Sequence, residues 1–181
     1  MQHIMWQIEC NRVNIMEYDC RLNIAYPPVK TEGRNLRYAA ILSDDYAGTV
    51  SEMTSVTQYF YQHLIIEDSN EQLAAALACI SIVEMHHLDM IGKLITDFGG
   101  DPQFRVMNRK NKAFWSGRYP LYLKNPQRFI KADIQSEQQA IRNYRLNISQ
   151  IDDIYVKKVL ERIILDEEHH IKIFESFLNR M

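Results

Sequence analysis

The chain is poor in cysteine, proline and glycine, carries no large excess of one charge, and has no long apolar run. Cys10, Cys20 and Cys79 form no CxxC pair, which argues against a disulfide framework and against a four-cysteine zinc or rubredoxin-type iron site. Three reduced, mostly buried thiols are expected instead. With only 6 glycines and 5 prolines in 181 residues, a fibrous or low-complexity chain is excluded. Lys and Arg number 21 against 23 Asp and Glu, so no basic surplus exists to neutralise a nucleic-acid backbone, and no nucleic-acid partner is expected. No window approaches the ~18 consecutive apolar residues of a membrane span, and no membrane partner is expected. Glu9, Glu17 and Asp19 interrupt what would have to be a signal peptide's apolar region, which points to a cytoplasmic protein.

The prolines, Pro27, Pro28, Pro102, Pro120 and Pro126, leave long uninterrupted intervals. Because proline is rarely tolerated inside a helix, those intervals read as four helices, at about 36–67, 70–98, 126–149 and 153–179. Polar EDSN separates the first two, Gly99-Gly100-Asp101-Pro102 ends the second, Pro126 suits a first turn, and Asp152 or Asp153 can cap the fourth. At 1.5 Å rise per residue such helices are about 35–48 Å long and need neighbours along their apolar stripes. Short links make helices one and two, and three and four, antiparallel hairpins. The connection at 100–125 suits a crossover along the bundle. The expected fold is all-α: an antiparallel four-helix bundle at 36–181 with one long crossover between helices two and three. Residues 1–35 form an unassigned extension. Gly48 and Gly92 fall inside helices one and two, where close helix approach accounts for them.

Two short motifs repeat along this frame. Glu84-Met85-His86-His87 and Glu167-Glu168-His169-His170 each contain E-x-x-H, a spacing that sets a carboxylate and an imidazole on one helix face. Glu52 is followed seven residues on by Tyr59, and Glu137 seven on by Tyr144. These are the only two E-x6-Y matches, preceding their E-x-x-H partners by 32 and 30 residues, so the hairpin is an internal repeat. Four carboxylates in one core would repel one another unless cations compensate them. Four carboxylates with two imidazoles suit a pair of iron or manganese ions.

On these motifs the chain resembles the ferritin-like superfamily of dinuclear carboxylate proteins, most nearly rubrerythrin- and bacterioferritin-type chains. The resemblance implies metal ligands at Glu52, Glu84, His87, Glu137, Glu167 and His170, with two iron or two manganese ions per chain. Tyr59 and Tyr144 resemble the tyrosines that hydrogen-bond ligand carboxylates, and with Glu52 and Glu137 they form the expected catalytic set. Asp166 is placed to reach His87 across the bundle, as the matching aspartate of bacterioferritins does; the mirrored Val83 cannot serve His170. The chain also departs from the family. Ala140 stands where rubrerythrins carry a further glutamate ligand, and a rubredoxin domain is absent, so electrons must come from an external donor. The chain ends eleven residues after His170, where ferritins usually continue into a fifth helix, which disfavours a 24-subunit shell and favours a homodimer. Met85 follows Glu84 where bacterioferritins place a haem-ligating methionine, but a methionine filling a helix or dimer seam is the plainer reading, and haem is not expected. His86 and His169 turn about 100° away from the ligand histidines, toward a seam or solvent.

Two classes of function follow. One is an oxidative-stress oxidoreductase reducing hydrogen peroxide or O2, as a ferroxidase, a peroxidase or a manganese catalase-like enzyme. The other is a non-enzymatic, metal-stabilised structural, coat or partner-binding protein, with the aromatic crossover and the 1–35 extension as its working surfaces.

Overall fold

In the computed structural model, residues 19–107 and 114–181 are described; Cys10, the rest of the extension before Asp19, and positions 108–113 of the crossover lie outside them. Five helices are present among these residues: α1 (Leu36–Ala47), α2 (Glu52–Ile66), α3 (Glu71–Asp97), α4 (Pro126–Gln150) and α5 (Ile154–Leu178). The short polar links between α2 and α3 and between α4 and α5 make two packed hairpins, and α1 lies against α3. Every helix start carries a side-chain oxygen that accepts first-turn amides: Asn35, Ser51, Asn70, Asn125 and Asp153. Pro126 occupies the first turn of α4, where its missing N–H costs nothing. Gly99 (φ 86°) closes α3 in the left-handed region, and its amide and that of Gly100 bond the last-turn carbonyls of Thr96 and Ile95.

The bundle follows the sequence pattern with one correction to its helices. The expected single helix at 36–67 is broken at 48–51 into α1 and α2. Gly48 is therefore a cap of α1 and not a helix-interior residue, and a Cβ there would run into the carboxylate and carbonyl of Asp44. Ser51 restarts the helix: its hydroxyl accepts from the Thr54 amide and donates to the Gly48 carbonyl. A local competition for backbone hydrogen bonds thus breaks an interval that the absence of proline alone reads as one helix. Gly92 is helical as expected, and a Cβ there would approach the Tyr46 ring to 3.1 Å, so it allows α1 and α3 to close up.

A second correction concerns the thiols. Cys20 and Cys79 are joined in a disulfide across 59 residues, with Cα atoms 6.0 Å apart. A pairing this far apart in sequence leaves no motif to read. It fastens an irregular strap, residues 19–35, along the bundle. The strap's far end is held where the Glu32 amide donates to Asp153 and the Asn35 amide to the Phe98 carbonyl. The crossover lies along α1 and α2: the Met107 amide donates to Ser43, the Trp115 indole to Thr54, and the Leu121 amide to Gln58.

Two apolar clusters fill the bundle ends. One gathers Leu42, Ile91, Leu94, Ile141, Leu160 and Ile163; the other gathers Leu73, Leu77, Ile80, Phe129, Ile130 and Phe174. The E-x-x-H residues, with Glu52 and Glu137, stand between these clusters in a polar layer, while Tyr144 belongs to the first cluster and Tyr59 to the second. α3 alone among the described helices is long and apolar enough to cross a membrane by composition, but most of it is buried in the bundle, as suits a core helix.

Candidate dinuclear metal centre

Glu52, Glu84, His87, Glu137, Glu167 and His170 converge in the polar layer, and all six are at most 2% exposed. They form two four-residue groups, Glu52-Glu84-His87-Glu167 and Glu84-Glu137-Glu167-His170, each with its ligand atoms within 4.8 Å of one another. Glu84 and Glu167 belong to both. The imidazoles enter symmetrically. His87 Nδ1 lies 3.3 Å from Glu84 and 3.3 Å from Glu167, and 3.6 Å from Glu52. His170 Nδ1 lies 3.0 Å from Glu84, 2.9 Å from Glu167 and 3.9 Å from Glu137. Helix periodicity creates this: each E-x-x-H sets both groups on one face, and the facing hairpin brings the second copy opposite.

The tyrosines cross between the halves. Tyr59 of α2 donates to Glu137 of α4, and Tyr144 of α4 donates to Glu52 of α2. Both phenols are buried, so each holds the other half's carboxylate in one orientation.

The electrostatics describe a cluster short of positive charge. Burial, then the neighbouring charge of Glu84, pushes both Glu52 and Glu137 well above the ordinary carboxyl range. Burial opposes charge on His87 and His170, yet Glu167 beside the first and Glu84 beside the second outweigh it and hold both imidazoles well above the usual histidine range. Glu84 is driven the other way: burial would raise it, but the two imidazoles keep it below the carboxylate range. A proton on each Nδ1 faces three carboxylates and can satisfy few of their oxygens. Among the described residues, Glu52 Oε2 and Glu84 Oε1 consequently have no hydrogen-bond partner; His170 Nδ1 is close to the latter, but its N–H is directed at Glu167. Buried, unpaired carboxylate oxygens facing imidazole lone-pair positions fit divalent cations better than they fit protons.

Behind the imidazoles the halves differ. His87 Nε2 lies 3.2 Å from Asp166 Oδ2, as the sequence predicts. Donation from Nε2 fixes the tautomer that leaves Nδ1 free to bind a cation. Val83 occupies the mirrored position, and among the described residues His170 Nε2 has no hydrogen-bond partner. Asp166 is itself held by the Leu22 amide at 3.0 Å, Tyr26 Oη at 2.5 Å and Arg162 Nη1 at 2.7 Å. Burial would raise its carboxyl, but bonds from His87, Arg162 and Tyr26 hold it below the usual range.

Sequence reasoning missed several buried polar residues around the centre. Arg162 is 4% exposed and bonds the Leu22 and Ile24 carbonyls; its place one turn before Asp166 was the available signal. Asp133, one turn before Glu137, accepts from Gln58 (2.8 Å) and Gln62 (3.0 Å), and burial raises its carboxyl to about 7. Asp45 accepts from Asn147, and burial raises it to about 8. His86 and Met85 are exposed on the outer face of α3, and the partly exposed His169 meets the Asp19 carbonyl at 2.7 Å.

The family profile described as ferritin-like domain matches residues 49–181, from the start of α2 through both hairpins. The chain belongs to this ferritin-like family. It is 25% identical over 126 residues to a bacterioferritin of Desulfovibrio desulfuricans, a match spanning 69% of this chain and 66% of that protein. It is 22% identical over 171 residues to a probable manganese catalase of Clostridium acetobutylicum, spanning 84% of this chain and 75% of that protein. Among solved structures it superimposes on KatB, a manganese catalase from Anabaena, with a TM-score of 0.77 and 23% identity, covering 88% of this chain and 80% of that one. The ferritin-like bundle thus encloses a buried carboxylate–histidine cluster with the donor set to hold a dimetal centre.

Proposed function

We propose that this ferritin-like chain is a cytoplasmic dimetal oxidoreductase that reduces hydrogen peroxide or O2. The observation carrying this reading is the pair of buried four-residue groups that share Glu84 and Glu167. In it, Glu52 and His87 would hold one ion and Glu137 and His170 the other, with Glu84 and Glu167, common to both groups, serving each. Bound there, two iron or two manganese ions supply Lewis acidity and one reducing equivalent each for splitting an O–O bond. The chain's residues do the rest. The four glutamates compensate the cations' charge. Tyr59 and Tyr144 orient Glu137 and Glu52, and the apolar clusters on either side exclude water. Reduction of peroxide to two waters consumes two electrons and two protons, the electrons being supplied by an external donor.

The metal-free protein should be loaded anaerobically with Fe(II) and mixed with peroxide or O2. Oxidation of the iron faster than in buffer, with near-ultraviolet absorption of oxidised iron, supports the proposal. Two reducing equivalents held together match a two-electron oxidant. Ala140 in place of the further glutamate of rubrerythrins supports a slower, less peroxide-selective centre, so O2 should react as well. No acceleration with either oxidant under iron or manganese loading would overturn the enzymatic reading. A manganese catalase-like activity is the second reading. It is favoured by the match to the probable manganese catalase, which takes in 84% of the chain against 69% for the bacterioferritin. Release of O2 from peroxide by manganese-loaded protein, with no added donor, distinguishes it.

A further inference from the structure

The Cys20–Cys79 bond joins the N-terminal strap to α3 in the wall of an open cavity of about 360 Å³. The same cavity is lined by Tyr26, Val83 and His86, and the Tyr26 ring packs edge-on against His86 at 4.7 Å. Cys20 is 2% exposed, whereas Cys79 is partly exposed, so one sulfur of the pair can be approached from the cavity. Immediately beyond the bond, the strap makes its contacts with the rear of the candidate centre. The Leu22 amide and the Tyr26 hydroxyl both donate to Asp166, which accepts from His87. Arg162 clasps the Leu22 and Ile24 carbonyls, and His169 meets the Asp19 carbonyl. These are few hydrogen bonds on an irregular segment with no helix of its own, and the covalent bond limits how far that segment can leave.

We propose that Cys20–Cys79 is an exchange site for a dithiol reductant, and that opening it releases residues 19–26 from the rear of His87. In the exchange, a thiolate of the reductant bonds to Cys79 Sγ and breaks the Cys79–Cys20 bond, and Cys20 leaves as a thiolate that takes a proton. The reductant's second thiol then attacks the mixed disulfide. The reductant departs oxidised, and both cysteines are left as thiols. Two electrons and two protons pass from the dithiol to the protein. In a reducing cytoplasm, protein disulfides are mostly transient, catalytic or redox-sensing, which suits a bond placed to govern a strap. Without the strap, Asp166 loses its Leu22 and Tyr26 partners while keeping Arg162, and the imidazole it orients is held less firmly. The release of the strap stands on these contacts alone; its effect on metal retention rests on the proposed dimetal centre.

The test uses the full chain, with and without dithiothreitol. Peptide mapping after alkylation should label Cys20 and Cys79 only after reduction. Amide exchange at Leu22 should then quicken about tenfold or more, while the α2 amides stay unchanged. Cys79→Ser should exchange at the reduced rate without reductant. Cys20→Ser, which removes the same bond from the strap side, guards against a folding defect in α3. After Mn(II) loading, reduction should speed metal loss to a chelator up to about tenfold. Labelling of both cysteines before reduction, or Leu22 exchange indifferent to reduction, would overturn the proposal. Faster Leu22 exchange with unchanged metal loss would overturn the coupling to His87. Faster Leu22 exchange in a protein that retains no metal in either state would support the strap release and sink the dimetal reading instead.

Discussion

The two hairpins present the same ligands in the same order, yet only one has a carboxylate behind its imidazole. His87 is backed by Asp166, which is in turn fixed by Arg162 and the strap; His170 Nε2 has no partner among the described residues, and Val83 fills the mirrored place. Repetition therefore supplies the ligand set, and divergence of single residues makes its two positions unequal. The position at His87 is oriented and electron-rich, and the one at His170 is less constrained. In the proposed dimetal centre, the ion at His170 would be the one to exchange.

The strongest blow to this comparison is to remove what the halves share. Glu84→Ala or Glu167→Ala should abolish binding of both ions, whereas Glu52→Ala or Glu137→Ala should leave one ion per chain by elemental analysis. Equal losses from all four would mean that the two groups do not act as distinct positions. Next in size is Asp166→Asn. In a Glu137→Ala background, which isolates the His87 position, it should weaken metal binding about 10–100-fold in a titration. The same change in a Glu52→Ala background should have little effect at His170.

Stability against pH sharpens the comparison outside the ligands. Asp133 has a folded value of about 7, above the ordinary carboxyl range. Between about pH 4 and 7 the folded, metal-free chain thus holds a proton that the unfolded chain has lost, and stability falls as pH rises through that window. Asp133→Asn mimics the protonated acid. It should match wild type near pH 4 and exceed it by about 1–2 kcal/mol at pH 8 in denaturant unfolding. The smallest effects belong to the crossed tyrosines. Tyr59→Phe and Tyr144→Phe should each slow iron oxidation about 3–10-fold, as the loss of one orienting hydrogen bond implies, while both ions stay bound.

The bundle, its hairpins, the crossover and the six converging residues were legible in the sequence because they rest on periodicity, caps and a repeated spacing. Asp166 was legible through the family resemblance. What escaped depends on contacts between distant segments or on local competition. The Cys20–Cys79 bond spans 59 residues and has no motif. Arg162 and Asp133 read as ordinary charged helix residues until a partner covers them. The break at 48–51 is decided by Ser51 and Gly48, with no proline there to mark it.

That break has a mechanical consequence. Glu137 stands in the middle of the 25-residue α4, where every neighbouring amide is bound into the i to i−4 ladder. Glu52 is the opening residue of α2, in the turn where the i to i−4 ladder has not yet begun and the Thr54 amide bonds the Ser51 hydroxyl and carbonyl instead. To shift the Glu137 carboxylate by an ångström, a whole rod must tilt or a side chain must leave its rotamer. A comparable shift of Glu52 needs only one turn of backbone to pivot about Gly48 and Ser51. The bundle thus pairs a stiff jaw with a compliant one, and the opening between them can widen from the α2 side without loosening the helices that hold the rest.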